Sequence, residues 1–235
     1  MRSSLPRSPE IMRPDDTGLL VVDLQERILA AQPEPERLVW NVRRLIEGAR
    51  VLGVCTAATE QSPEKLGATA PLLAQSLGFD VQEVPEPDAD GSTLNRPDPG
   101  GNKPFPPGQR AYRKEAFSGG ECGELFKTWR ERGLGRVLVC GIETHVCVQQ
   151  TVLDLLADGY QVQVVVDAVS SRYTINHETG LRRLEASGGL LTTVEAALFE
   201  WCGRAGTPEF RKISALVKES WQGGGESSGK TVSGT

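Results

Sequence analysis

Short continuous apolar runs alternate with longer segments of helical period along this chain, and that alternation restricts the fold more than any other feature. Gly18-Leu19-Leu20-Val21-Val22 is such a run, ending at Asp23-Leu24-Gln25. Apolar at successive positions, it reads as a strand buried on both faces rather than one with a wet side. Val54 to Thr59, Phe79 to Val84, Val137 to Cys140, Val162 to Val166 and Leu190 to Thr192 read as further strands. From Glu34 to Leu52, Leu38, Val42, Leu45, Ile46 and Ala49 recur at i, i+3 and i+4 spacing with charges between them, which predicts an amphipathic helix. Shorter helices are expected over Ala70 to Leu77, Gly123 to Arg132, Thr144 to Ala157, around Glu178 to Ala186, and over Val194 to Cys202. A last helix starts with Thr207 as N-cap and Pro208 in the first turn. Parallel strands need helical crossovers that cover both faces of their sheet. The expected fold is therefore α/β, a three-layer α-β-α sandwich with a mostly parallel six-stranded sheet.

The 235 residues suit one large domain, expected over 14–220. Residues 1–13 have no apolar h-region and read as a frayed tail rather than a secretory signal. Residues 221–235 read as a Gly/Ser-rich flexible tail, where GESSGKT lacks the strand and helix that flank a phosphate-binding loop. Between Pro85 and Gln109 the density of Pro, Gly and Asp predicts a long loop inserted in the domain. With 26 Lys and Arg against 31 Asp and Glu, the net charge of −5 argues against a general nucleic-acid binder. No apolar run approaches the roughly 18 residues that span a bilayer. Five cysteines without repeating spacing do not suggest a disulfide framework, so a reduced, cytoplasmic protein is expected.

In open parallel sheets, ligands bind beyond the carboxyl ends of the strands, where the strand order reverses. Asp23 follows the first strand, and Cys140-Gly141-Ile142-Glu143-Thr144-His145-Val146-Cys147 leads from the fourth into a helix. A thiol near a helix start meets unpaired N–H groups and the positive dipole end, which favour the thiolate and could also hold an oxyanion. Free cysteines are otherwise mostly buried packing residues, and Cys55, Cys122, Cys140 and Cys202 read that way. The only histidines are His145, two residues from Cys147, and His177, which opens a distant helix, so a Cys–His pair is unattractive. Asp23 could serve as base if a cation shares its site. Lys114, just after the insert, is the candidate, although a lone lysine after a loop is ordinarily a solvated charge.

Taken together, these segments resemble the isochorismatase-like cysteine hydrolases. The resemblance rests on Val22-Asp23-Leu24-Gln25, on Lys114-Glu115-Ala116-Phe117-Ser118, on the stretch from Cys140 to Val148, and on Thr151 to Leu156 and Val164 to Arg172. Thr59-Glu60-Gln61, with Leu66-Gly67 after it, is most similar to isochorismatase-domain proteins of unassigned substrate. The resemblance spans about Asp16 to Glu219 and implies a Rossmann-like topology and a catalytic triad of Asp23, Lys114 and Cys147. By that analogy Cys147 attacks a carbonyl carbon, Asp23 takes the thiol proton, and Lys114 holds the pair in its active charge state. The backbone N–H groups of Glu143 and Cys147 would form the oxyanion hole, next to a cis peptide at Ile142–Glu143. Gln25, Glu60, Phe117 and Thr144, which stand in the same motifs, are the candidate substrate-binding residues.

Nicotinamidase-type relatives carry a histidine zinc site after the second strand, where this chain has Thr59-Glu60-Gln61-Ser62-Pro63; no metal and no cofactor are expected. Isochorismatase proper cleaves a vinyl ether without the cysteine, so amide-like substrates fit Cys147 better. The expected function is a metal-independent cysteine hydrolase of a small amide or carbamoyl-type C–N bond, acting through an acyl-thioester. It would be homo-oligomeric, with a small-molecule substrate and neither nucleic acid nor membrane as partner. The alternative is a non-catalytic oligomeric scaffold that keeps the fold. A nucleotide-binding oxidoreductase is disfavoured, because Asp23-Leu24-Gln25-Glu26 stands where a glycine-rich turn would follow the first strand.

Overall fold

A computed structural model describes residues 7–78 and 111–223. Its sheet has six strands: β1 (Thr17–Val22), β2 (Cys55–Gln61), β3 (Ala111–Lys114), β4 (Arg136–Ile142), β5 (Gln161–Ser170) and β6 (Leu190–Thr192). All pairs are parallel, in the order β3-β2-β1-β4-β5-β6. The strand expected over 79–84 and the insert at 85–109 lie outside the described residues. The sixth strand is instead Ala111–Lys114, in a segment read from sequence only as the exit of a loop. Its four residues form no apolar run, and at the sheet edge only Tyr112 and Lys114 are buried.

The helices are α1 (Glu26–Leu29), α2 (Pro35–Leu52), α3 (Pro63–Leu66), α4 (Pro71–Leu77), α5 (Gly123–Glu131), α6 (Gln149–Ala157), α7 (Thr174–Ala186), α8 (Val194–Cys202) and α9 (Pro208–Lys218). Two are one-turn elements too short for a periodic signal, and α7 begins four residues earlier than expected. Thr207 caps α9 as predicted, its Oγ1 accepting from the Phe210 N–H at 3.0 Å.

Alternation along each strand divides the core. Leu19 and Val21 of β1 face α2, α8 and α9, where Leu45, Leu198, Trp201 and Ile213 pack. Leu20 and Val22 face α5, α6 and α7, against Leu125, Trp129, Val152 and Leu184. The sheet is thus sandwiched between two helical layers, because strands apolar on both faces need cover on both.

From β1 the strand order runs outward through β2 on one side and β4 on the other, so the switch point lies between β1 and β4. Here Val22 pairs with Gly141. Gly141 has φ +123°, and a Cβ there would lie 2.0 Å from the Val22 carbonyl oxygen. Only glycine lets the carboxyl ends of β1 and β4 come this close. Gly141→Ala is expected to destabilise the fold by roughly 2–6 kcal/mol, combining overpacking with backbone strain. Urea-unfolding midpoints at constant m-value would measure it.

Candidate active site

Asp23 leaves β1 with φ +49°, in the left-handed region, and its N–H donates to the Thr59 carbonyl at 3.1 Å. This turns its carboxylate across the carboxyl end of the sheet. Lys114, the last residue of β3, reaches Asp23 Oδ2 at 2.7 Å, and neither side chain has any solvent exposure. Burying two charges costs several kcal/mol per ion unless the remaining polar valences are filled. They are filled from both neighbouring segments. Thr59 Oγ1 donates to Asp23 Oδ1 at 2.7 Å. The lysine Nζ donates to Gln61 Oε1 at 2.8 Å, the Ala116 carbonyl at 3.2 Å and the Phe117 carbonyl at 3.0 Å. Oδ2 carries the ion-pair contact to Lys114.

Thr59 and Gln61 are thus part of the site, although neither stands out as a candidate in the sequence. The strand register holds the missing signal: Gln61 pairs with Lys114, so the two side chains share a face. Glu60, the residue that resemblance suggests, points the other way. Its Oε1 accepts from the N–H and hydroxyl of Thr69, both at 2.7 Å.

On the β4 side, the Ile142–Glu143 peptide is cis, and Glu143 opens a π-turn over Thr144–Val148. Where sequence predicted one helix from Thr144, this wider turn comes first and α6 continues it. Cys147 lies in the turn, 7% exposed, near enough to Asp23 and Lys114 for both charges to act on its thiol. The structure therefore brings Asp23, Lys114 and Cys147 together. Burial pushes the Cys147 thiol up to about 12; Asp23's negative charge adds to this and Lys114's positive charge opposes it. The thiolate-favouring start of a helix is outweighed, because desolvation of the charged form is the larger effect.

The remaining candidates are held by internal bonds. Gln25 is fully buried, its amide nitrogen donating to the Gln61 and Gly67 carbonyls at 3.1 and 2.6 Å while its oxygen accepts from the Gln61 N–H at 2.8 Å. It clamps the ends of β1 and β2. Thr144 is fully buried, with Oγ1 at 2.9 Å from His177 Nδ1. Phe117 is 55% exposed and is the one candidate substrate contact that turns its side chain outward. Glu143 Oε1 accepts from the Arg172 N–H and Nε at 2.9 and 3.0 Å; burial raises its pKa, but these bonds and the arginine charge leave it net lowered. His145 pairs with Ser171 Oγ at 3.0 Å, and burial lowers the His177 pKa. Among the described residues no group of three or more His, Cys, Asp and Glu is placed to hold a metal ion.

Buried thiols give this protein a defined response to alkali. Burial lifts Cys122 to about 12 and raises Cys140 as well, as it does Cys147, from an ordinary 9.0. A thiol whose folded pKa is raised stabilises the fold fully below its unfolded value, and that contribution fades as pH climbs toward the folded one. Between about pH 9 and 11, urea midpoints are expected to fall, with a slope of roughly one proton per buried thiol. Cys122→Ala should flatten that slope.

Comparison with known proteins accords with this geometry. The Isochorismatase domain family matches residues 17–196. The secreted isochorismatase effector Isc1 of Phytophthora sojae is 33% identical over 213 residues, covering 88% of this chain and 86% of its own. Isochorismatase domain-containing protein 2 of Bos taurus is 34% identical over 206 residues, with 88% and 85% covered. Among solved structures, the MAR1 ribonuclease of Caenorhabditis elegans superposes with a TM-score of 0.70 at 30% identity, over 89% of this chain and 93% of that one. The fold of the Escherichia coli YcaC gene product, described as an octameric hydrolase of unknown specificity, is similar at 19% identity and a TM-score of 0.67, over 90% and 89%. No helix among the described residues is long and apolar enough to cross a membrane. With an all-parallel six-stranded sheet, a buried acid–lysine pair at its switch point and a domain match spanning most of its length, this chain belongs to the isochorismatase family of hydrolase folds.

Proposed function

We propose that the protein is a metal-independent cysteine hydrolase of small amide or carbamoyl-type C–N bonds. The supporting observation is the fully buried Asp23–Lys114 pair at 2.7 Å with the Cys147 thiol against it. A scaffold has no need of two buried opposite charges beside a thiol, because such charges are costly to bury.

With the thiol pushed up to about 12, a standing thiolate is not the resting form. The proton leaves as the bond forms. Cys147 Sγ attacks the carbonyl carbon, Asp23 Oδ2 accepts the thiol proton, and the Glu143 and Cys147 N–H groups receive the developing oxyanion. Asp23 then returns the proton to the departing nitrogen, giving ammonia or an amine and an acyl-thioester. Water, deprotonated by the same carboxylate, hydrolyses the thioester to the acid and restores the thiol. Lys114 holds the Asp23 carboxyl group in place for these proton transfers through their 2.7 Å contact. A net charge of −5 favours a small substrate over a polyanion such as the RNA implied by the C. elegans neighbour's name. The five described cysteines are all free, in keeping with a reduced cytoplasmic setting, and the octameric YcaC is the precedent for a homo-oligomer.

Ammonia release from a panel of small amides is the direct assay. Cys147→Ser is expected to lose turnover by roughly a thousandfold or more with an unchanged circular dichroism spectrum; full turnover in that variant sinks the proposal. Asp23→Asn separates two roles of the carboxylate without a substrate. As a general base, its loss slows neutral-pH alkylation of Cys147 by iodoacetamide by roughly a hundredfold. A carboxylate that merely repels the thiolate gives the opposite sign, faster alkylation in Asp23→Asn.

A further inference from the structure

The loop that follows Lys114 is anchored on the helix that follows Cys147. Ser118 Oγ donates to Asp154 Oδ2 on α6 at 2.5 Å and accepts from the Gly120 N–H at 3.0 Å. The Gly119 N–H donates to Thr151 Oγ1 at 2.7 Å, and that hydroxyl donates onward to the Cys147 carbonyl at 2.6 Å. Thr151 is fully buried, and Gly119 approaches it so closely that a Cβ on the glycine would stand 3.1 Å from Thr151 Cγ2.

A threonine bonding the carbonyl four residues back in its own helix is ordinary. Accepting a hydrogen bond from a different segment with the same oxygen is not. The run Gly119 N–H to Thr151 hydroxyl to Cys147 carbonyl is continuous, and each bond polarises the next. Its loop end lies two and three residues beyond the carbonyls of Phe117 and Ala116, which hold the lysine ammonium. Its helix end is the nucleophile's own carbonyl.

We infer that Thr151, with Asp154 supporting it, is a positioning residue that sets Lys114 and its carboxylate partner in register with the Cys147 sulfur. The inference rests on the triad reading above. Neither residue touches the reacting atoms. Both act through the 116–119 loop, which adjoins β3 at the sheet edge and, among the described residues, is hydrogen-bonded to α6 through Asp154 and Thr151. Proton transfer from a thiol to a carboxylate tolerates little misplacement, so releasing the loop costs base assistance before it costs the fold.

The test follows the rate constant for iodoacetamide alkylation of Cys147 from pH 6.5 to 10 by peptide mass spectrometry, alongside thermal melting. Asp23 and Lys114 are the charged groups acting on the sulfur, so the profile reads their placement. Thr151→Val, of nearly equal volume, is expected to lose on the order of ten- to a hundredfold at neutral pH. Its rate then climbs about tenfold per pH unit, as for a thiol that ionises without help. Thr151→Ser, which keeps the hydroxyl, is expected to restore the wild-type profile. Asp154→Ala, at an exposed position, should shift the profile in the same direction by less.

A Thr151→Val protein that melts lower but keeps the wild-type profile makes Thr151 purely structural and overturns the inference. Should that variant not fold, an unchanged profile in Asp154→Ala overturns it equally. Wild-type Cys147 reacting no faster than Cys122 is a different failure, because it removes the nucleophile assignment itself and this inference with it.

Discussion

Two opposite charges held 2.7 Å apart, with neither side chain exposed, organise the carboxyl end of this sheet. A buried ion pair is stable only when its surroundings complete its hydrogen bonds, and removing one member typically costs roughly 3–5 kcal/mol. Here the completing groups come from separate elements: a threonine and a glutamine on β2, and two carbonyls beyond β3. Each must arrive at one point, so the pair constrains strand register, strand length and the course of the loop together. The close approach of β1 to β4 at Gly141 brings the sulfur to the same point from the opposite side.

The competition at Cys147 follows from this geometry. A helix start and a lysine both favour the thiolate, whereas burial and a neighbouring carboxylate favour the thiol. Burial is the largest influence, and the thiol prevails. On the proposed reading, the carboxylate that makes the resting sulfur harder to ionise is also the group that receives its proton.

Much of this architecture is legible along the chain. Apolar runs mark β1, β2, β4 and β5, since buried parallel strands have to be apolar on both faces; the Leu190–Thr192 run marks β6 as well, although that edge strand is largely exposed. Asp23 is legible because it directly follows such a run, and Cys147 because it stands near the helix start that the fourth run leads into. Lys114 reads as a candidate cation after the insert, and only the resemblance assigns it to the triad. Its strand reads Ala-Tyr-Arg-Lys, and an edge strand of four residues carries no periodic signature. Gln61 and Thr59 passed unnoticed for a different reason: they act across strands, and pairing register is invisible until the order β3-β2-β1 is known. Thr151 was hidden within the apolar face of a helix, where a lone hydroxyl looks like packing.

Local chemistry determined the α/β class, the parallel sheet and the candidacy of Asp23 and Cys147, because each depends on neighbours within a few positions along the chain. Tertiary structure alone decided the protonation of Cys147, the ligands that hold Lys114, and the fate of Gln25, Glu60 and Thr144 as bonded scaffold. Those outcomes depend on burial and on partners brought in from other elements, such as Gln61, 53 residues from Lys114. Desolvation and hydrogen-bond satisfaction are properties of a place in the fold, not of a stretch of chain.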